Sequence, residues 1–537
     1  MNSNHYFFNS IYFSRASKLP SRLLVFVCLL FVANMALAAP VAVDDVRSVP
    51  INTSITLNPL ANDSSPDDFA FTLVELATPE NGTAQQNPDG SVYYTPEQNF
   101  VGADSFSYTI EDSQGERAIA LITINVTQKP FPSFADDENS ANLATVLQDV
   151  CERLQQSSDA ELGAARNNLL THCNNMRLLA ESNPDGLNRV LNQVAPEETI
   201  AQMRIAADSN RAQTGAVSQR MQQLRTSGNS FSLNGVALNN SPTAGGGAGD
   251  DLVSRTGIFV NVQHDAATRK ITDLENGYDY DANTLTLGAD YRLSNTWVMG
   301  VALGLTQNDL EFKQQDGDLE TDITSLVVFG SQQRGRLAWD IQLGYGQTAF
   351  SSRRNIFYDA GDVQMDEVLR GSTEGDQWLL NTQLQWEWNR QALNVYPFAS
   401  VNYVQNDTKA YGEQGTSGLA MMFSDQSIRQ LTLEAGAQAT YAMNRNWGVL
   451  VPMLQMSVLH DTRQDLDPVT ARFAYDPDMD NAFQLSYDAS EQTYFQFGVG
   501  ASAVFKRGIS AFFQYQQLLG YDDLSAYQLQ AGVRYEL

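Results

Sequence analysis

Thr284-Leu285-Thr286-Leu287-Gly288-Ala289-Asp290-Tyr291-Arg292-Leu293 decides the fold of this chain. Side chains alternate along a strand, so Leu285, Leu287, Ala289, Tyr291 and Leu293 share one face. Thr284, Thr286, Gly288, Asp290 and Arg292 share the other. A soluble sandwich alternates too, but its strands run mostly to about five or six residues. Here comparable segments are far longer: 336–348, 378–388, 393–405, 430–443, 493–505 and 525–537. Such lengths suit a strand crossing hydrocarbon at a tilt.

From Thr256 onward the pattern predicts twelve strands: 256–264, 284–293, 297–307, 321–333, 336–348, 376–388, 393–406, 429–443, 447–460, 492–505, 508–518 and 525–537. Short connections such as Asn444-Arg445-Asn446 alternate with long ones such as 407–428. An even count puts both barrel termini on the side of the tight turns. Trp297, Trp386, Trp388, Tyr441, Trp447 and Tyr521 stand near strand ends, where a membrane girdle places aromatic rings. Residues 255–537 therefore read as an antiparallel transmembrane β-barrel of about twelve strands.

The chain end carries a further signal. Gln530, Gly532, Tyr535 and Leu537 sit in Gln530-Ala531-Gly532-Val533-Arg534-Tyr535-Glu536-Leu537. This octapeptide resembles the terminal insertion signal of outer-membrane barrels, with Leu where Phe or Trp is usual. Over its whole length the region resembles an autotransporter β-domain. That resemblance implies an outer-membrane anchor that helps a preceding segment across without ATP. It also implies two partners, the membrane lipids and the barrel-insertion machinery.

Other segments have other periods. Arg15, Lys18 and Arg22 precede the apolar run 23–33, and Ala36-Leu37-Ala38 offers a small-x-small cleavage site, so residues 1–38 read as a signal peptide. Residues 41–128 alternate in short runs such as Ser105-Phe106-Ser107-Tyr108-Thr109-Ile110, broken by turns at Asn81-Gly82, Pro88-Asp89-Gly90 and Ser113-Gln114-Gly115, and predict a β-sandwich. Ala42-Val43-Asp44-Asp45, Leu60-Ala61-Asn62-Asp63, Pro79-Glu80-Asn81-Gly82-Thr83 and Phe100-Val101-Gly102-Ala103-Asp104 resemble, in order, the bacterial cadherin-like and immunoglobulin-like repeats of surface proteins. That resemblance implies calcium as a cofactor, with Asp44, Asp45, Asp63, Asp67 and Asp68 as oxygen donors. Local turn and cap chemistry is the competing reading of these acids.

Residues 138–226 switch to a helical period, with Leu143, Val146, Leu147, Val150 and Leu154 on one stripe and Leu162, Leu169, Cys173 and Met176 roughly continuing it. A turn near 159–163 would bring Cys151 and Cys173 together across a hairpin. A disulfide there closes a loop of about 23 residues, worth roughly 3 kcal/mol; two buried thiols are the alternative. Another helix starts after Ala195-Pro196-Glu197-Glu198 and runs to about Arg225, or roughly 43 Å. Its thinly apolar surface suits either a watery channel or a bundle. Residues 227–254 form a linker, Gly-rich at 244–249, and the pair Asn239-Asn240 within it reads as plain loop rather than a self-cleavage site.

Chemistry is sparse. Acidic residues outnumber basic ones 62 to 33, which excludes the basic footprint of nucleic-acid binding. Of four histidines, His5 is in the leader, His264 and His460 are in barrel strands, and His172 reads as a helix-surface residue. There is no Gly-x-Ser-x-Gly elbow and no HExxH helix. The expectation is a non-enzymatic, surface-displayed binding or adhesion protein with an unidentified ligand. A porin-like channel with periplasmic N-terminal domains and an enzyme with an unfamiliar site are the alternatives.

Overall fold

The computed structural model describes residues 38–156, 163–226, 232–233, 236–237, 255–313, 317–361, 363–415, 417–489, 491–505 and 509–536. The leader up to Leu37, the Gly-rich stretch, Asn239-Asn240 and Leu537 lie outside them. The chain divides into two compact units, Met1–Lys129 and Pro130–Leu537.

The first unit is a sandwich of seven strands: β1 Asp45–Pro50, β2 Ile55–Leu57, β3 Phe71–Leu76, β4 Gly82–Gln86, β5 Val92–Pro96, β6 Gly102–Asp112 and β7 Arg117–Thr127. One sheet has the order β1-β7-β6-β3, with β1 parallel to β7, and the other has β2-β5-β4. Alternation puts Val92, Tyr94, Phe106, Tyr108, Ile122 and Ile124 between the sheets. Each buried tyrosine keeps its hydroxyl bonded. Tyr94 donates to Asp104 at 2.8 Å, and that carboxylate also accepts the amides of Glu80 and Asn81 at 3.2 and 3.0 Å. One aspartate thus ties the Pro79–Gly82 turn to the core. A Cβ at Gly82 would lie 2.6 Å from the Thr95 carbonyl and 2.8 Å from the Tyr94 ring, so that turn needs glycine.

The second unit begins with four helices: α1 Glu138–Gln156, α2 Ala164–Ser182, α3 Pro184–Val194 and α4 Glu198–Thr226. Helix α3 was not expected from the stripes described above. Asn183 caps it by accepting from the Gly186 amide at 3.0 Å, and Pro184 opens it. Among the described residues no helix is long and apolar enough to cross a membrane.

Twelve long strands follow: β8 Thr256–Arg269, β9 Tyr278–Ser294, β10 Trp297–Phe312, β11 Asp318–Arg334, β12 Leu337–Asp359, β13 Gln364–Trp386, β14 Leu393–Thr408, β15 Gln426–Tyr441, β16 Gly448–Leu466, β17 Thr493–Phe505, β18 Ile509–Leu519 and β19 Leu524–Glu536. Neighbours pair antiparallel, and β8 closes the ring on β19 from Gly257↔Glu536 to Arg269↔Leu524. Closure leaves no unpaired edge in lipid.

The outer wall carries the membrane band. On β12 the outward residues Leu337, Trp339, Ile341, Leu343 and Tyr345 are exposed, while Ala338, Asp340 and Gln342 face inward and are buried. Those outward positions run about 26 Å along the strand, or roughly 20 Å of barrel height once strand tilt is allowed for. Trp297, Trp386, Trp388, Tyr441 and Trp447 ring the tight-turn end, all at least one-third exposed. Tyr521 differs: it lies at the long-loop end, tilted against Tyr494 with ring centroids 5.4 Å apart. The strands also outrun the band. Beyond it the outward positions turn polar, as with Asp279, Asp281, Asp309, Glu311, Glu320 and Asp322. The sequence-based limits fell short at that end because apolar–polar alternation stops where lipid stops.

Candidate functional site

The barrel interior is occupied. Helix α4 threads it, entering at the long-loop end: Ala201 and Ile205 pack there with Tyr278, Leu310, Phe312, Leu319 and Phe350. Further along, Val217 and Met221 meet Phe259, Ala302, Val327, Phe329 and Leu379. Of the two readings left open above, the channel helix is the one observed. Its thin apolar face meets the few apolar wall residues just named and, at its head, the cap core through Ile200 and Met203, while the rest of its surface meets polar wall residues. Gln342 Nε2 donates to Ser218 Oγ at 2.6 Å, Gln219 Nε2 donates to Gln514 Oε1 at 2.9 Å, and the Ser325 hydroxyl donates to Gln213. Gly304 has no side chain to obstruct Gln213, whose amide a Cβ there would meet at 2.5 Å.

Arg220 makes the strongest of these ties. Its guanidinium donates to the Asp290 carboxylate, Nε at 2.6 Å, and lies 5.3 Å from the Phe259 ring centroid. Burial of both charges makes their pairing obligatory. Beside the helix remains a chamber of about 180 Å³ whose lining is rich in amides, among them Gln219, Asn381, Gln438, Gln455, Gln514 and Gln530. Apart from Glu434 the lining offers neutral donors and acceptors, which hydrate a lumen.

Above the long-loop end, helices α1 to α3 form a cap. Its core joins Leu143, Leu147, Leu169, Leu187 and Leu191 to Ile356 and Leu369 on the upper strands and to Met421, Phe423, Val469 and Phe473 on the loops. Those loops build a small sheet of their own, ordered 411–412, 421–423, 469–473 and 483–485. Polar ties fix the cap in place. Asn139 donates to the Leu274 and Ser486 carbonyls at 2.8 and 2.9 Å, and Arg153 pairs with Asp476 at 2.7 Å. Buried Arg354 holds Glu413 through two bonds of 3.0 and 2.7 Å. Next to that pair Glu198 is buried with neither carboxylate oxygen bonded. Burial pushes its carboxyl up to about 7, against the pull of Arg354.

The residues singled out in the sequence are distributed as follows. Cys151 and Cys173 are joined in a disulfide between α1 and α2, with Cα atoms 5.6 Å apart. The five sandwich acids serve separate tasks. Asp63 accepts from the Val43 amide at 2.8 Å and the Tyr108 hydroxyl at 2.9 Å, Asp44 from the Leu121 amide at 2.9 Å, and Asp67 from the Ala38 amide at 2.8 Å. Asp45 is buried 3.9 Å from Arg47, and Asp68 adopts a left-handed turn conformation with φ 57°. Burial and the Asp63 carboxylate hold the Tyr108 hydroxyl protonated, as this donor role needs. Among the described residues no three acidic, histidine or cysteine side chains gather as a metal site.

His172 corrects the sequence reading. It is fully buried, not a helix-surface residue, because α2 packs that face onto β12 and β13. In the terminal signal, Gln530 faces the lumen, Gly532 lies where a Cβ would meet the Phe512 ring at 2.3 Å, and Tyr535 pairs with Ile258 and Ile509.

A closed twelve-strand barrel with an apolar outer belt, a polar lumen and a helix threading it defines an outer-membrane translocator-type β-domain. Comparison with known proteins agrees: residues 258–516 match the family model of the autotransporter beta-domain, and residues 38–125 match that of a bacterial Ig domain. The chain is an outer-membrane protein that carries an autotransporter-type β-domain at residues 258–516 and an Ig-like domain at residues 38–125. It is 28% identical over 194 residues to Esterase EstA of Pseudomonas aeruginosa, covering 36% of this chain and 29% of that protein. It is 22% identical over 320 residues to Outer membrane protein B of Rickettsia typhi, covering 57% of this chain and 19% of that protein. The chain thus spans less than a third of the length of these relatives. Among solved structures it is similar to the translocator domain of autotransporter NalP from Neisseria meningitidis, with 17% identity, 62% of this chain and 98% of that chain covered, and a TM-score of 0.44.

Proposed function

We propose that the barrel anchors the chain in the outer membrane and helps carry residues 39–197 to the outside, where the Ig-like sandwich is displayed to bind a surface ligand. The observation that carries this reading is the direction of α4, whose Glu198 end lies at the long-loop mouth and whose Thr226 end points toward the tight turns. In this reading the residues between the leader and Glu198 are carried out on the long-loop side. Adhesion follows by analogy with other immunoglobulin-like surface modules. A freely open porin is disfavoured, because α4 and the cap occupy the conduit.

Display is tested with an epitope placed in the Asp89-Gly90 turn of the full-length protein. Antibody staining of intact cells supports the proposal, and staining only after permeabilisation would sink it. The match to an esterase supports a second reading, in which the exported part is enzymatic. Since that match falls in the barrel region, no hydrolysis of short-chain aryl esters by the purified full chain is the expected result; turnover abolished by deleting residues 39–197 would favour the esterase reading.

A further inference from the structure

The contact between α2 and the upper wall holds one titratable ring that the preceding reading leaves unused. His172 is 0% exposed. Its Nδ1 lies 2.7 Å from the Tyr358 hydroxyl on β12, and its Nε2 lies 3.4 Å from Glu367 Oε1 on β13. On its own helix it is flanked by Asn168, which donates to the same Glu367 oxygen at 3.2 Å, and by Asn175. Glu367 is its one facing carboxylate among the described residues, and that side chain is 18% exposed. Around this polar group the contact is apolar, with Leu169, Ile356 and Leu369 all fully buried.

We infer that His172 is an acid-sensitive latch, holding the helical cap on the barrel mouth while the imidazole is neutral and loosening it once the ring is protonated. A neutral imidazole fits the site: one nitrogen meets the tyrosine hydroxyl, the other faces the carboxylate without a hydrogen bond, and the ring adds no buried charge of its own. A protonated ring would bury a cation whose single counter-charge lies 3.4 Å away and is partly spent on Asn168. Undocking returns the ring to water, where a cation is stable.

The direction follows from linkage. Burial lowers the proton affinity of His172 below its ordinary value, and Glu367 offsets part of that effect. The undocked state therefore binds more protons, and docking weakens as pH falls below the free imidazole value of about 6.5. Glu198, at the head of α4, is driven the opposite way, so the contribution of His172 is read as a difference between variants.

The test uses the full-length chain in detergent micelles, with the rate of limited proteolysis within α1 to α3 measured at neutral and at mildly acidic pH. The ratio of the wild-type rate to the His172→Gln rate should rise several-fold on acidification; an unchanged ratio overturns the latch. Weaker packing in the variant at both pH values cancels from this comparison. In Glu367→Gln the acid-induced loosening should be larger than in wild type, because the protonated ring loses its counter-charge. Equal or smaller loosening in that variant would show that His172 only fills space.

Discussion

Arg220 on the threading helix and Asp290 on the barrel wall are each other's counter-charge inside the lumen, with side chains 1% and 4% exposed. The pair couples a segment of low apolarity to a wall it could otherwise leave. Arg220→Ala would leave the buried Asp290 carboxylate to Arg534 and Arg292, whose charges also act on it, and should weaken helix seating by about 1–3 kcal/mol. Single-channel recordings of the full chain should then show larger and more frequent openings than wild type. Replacing both residues with a neutral pair such as Gln and Asn should recover much of the closed behaviour.

Reduction of the Cys151–Cys173 bridge, or Cys151→Ser with Cys173→Ser, frees a 22-residue separation in the chain. The chain-entropy model puts the loss at about 3 kcal/mol. The cap should melt earlier by calorimetry, with the barrel transition unmoved.

Glu198 makes a pH-dependent prediction of opposite sign to His172. Its carboxyl is raised to about 7 in the folded chain, so the folded state holds a proton that the unfolded state releases near its usual value. The stability linked to this group is fully present in acid and is lost as pH rises toward about 7. Glu198→Gln should remove that slope and strengthen seating of the α4 head above neutrality, by an amount of order 3 kcal/mol. Hydrogen exchange along residues 198–205, corrected for intrinsic rates, reads the effect. Identical pH slopes in variant and wild type would refute it.

In the sandwich, Tyr94→Phe removes one of three donors to buried Asp104 and should cost about 1–3 kcal/mol. Gly82→Ala should be at least as damaging, since its methyl group meets backbone at 2.6 Å. Equilibrium unfolding of the Ig-like unit within the intact chain separates this clash from Gly115→Ala, which has open space and adds only the strain of a left-handed φ of 88°.

How much was legible depended on the solvent each segment faces. Within the lipid band the alternation Leu337, Trp339, Ile341, Leu343, Tyr345 against Ala338, Asp340, Gln342 is strict, and it located twelve strands. Above the band both faces of Asp318–Thr324 or Gln347–Asn355 carry polar residues, so the upper walls escaped detection. The channel helix could be drawn but not placed, because Gln213, Ser218 and Gln219 bond wall residues more than a hundred positions away. The same distance hid His172, whose partners Tyr358 and Glu367 lie 186 and 195 residues along the chain. Helix α3 was different: Asn183-Pro184 followed by Leu187, Val190, Leu191 and Val194 is a local start signal and stripe, and it was there to be read.

The strands that outrun the lipid carry one more consequence. From Gly346 to Asp359, β12 rises roughly 30 Å past the aromatic edge at Tyr345. The leucines of the cap therefore collapse against water, whereas the belt below is held by hydrocarbon and by a closed hydrogen-bonded ring. One polypeptide thus relies on two solvents. Urea, which weakens the first kind of cohesion far more than the second, should unravel the cap and leave a bare cylinder standing in the bilayer.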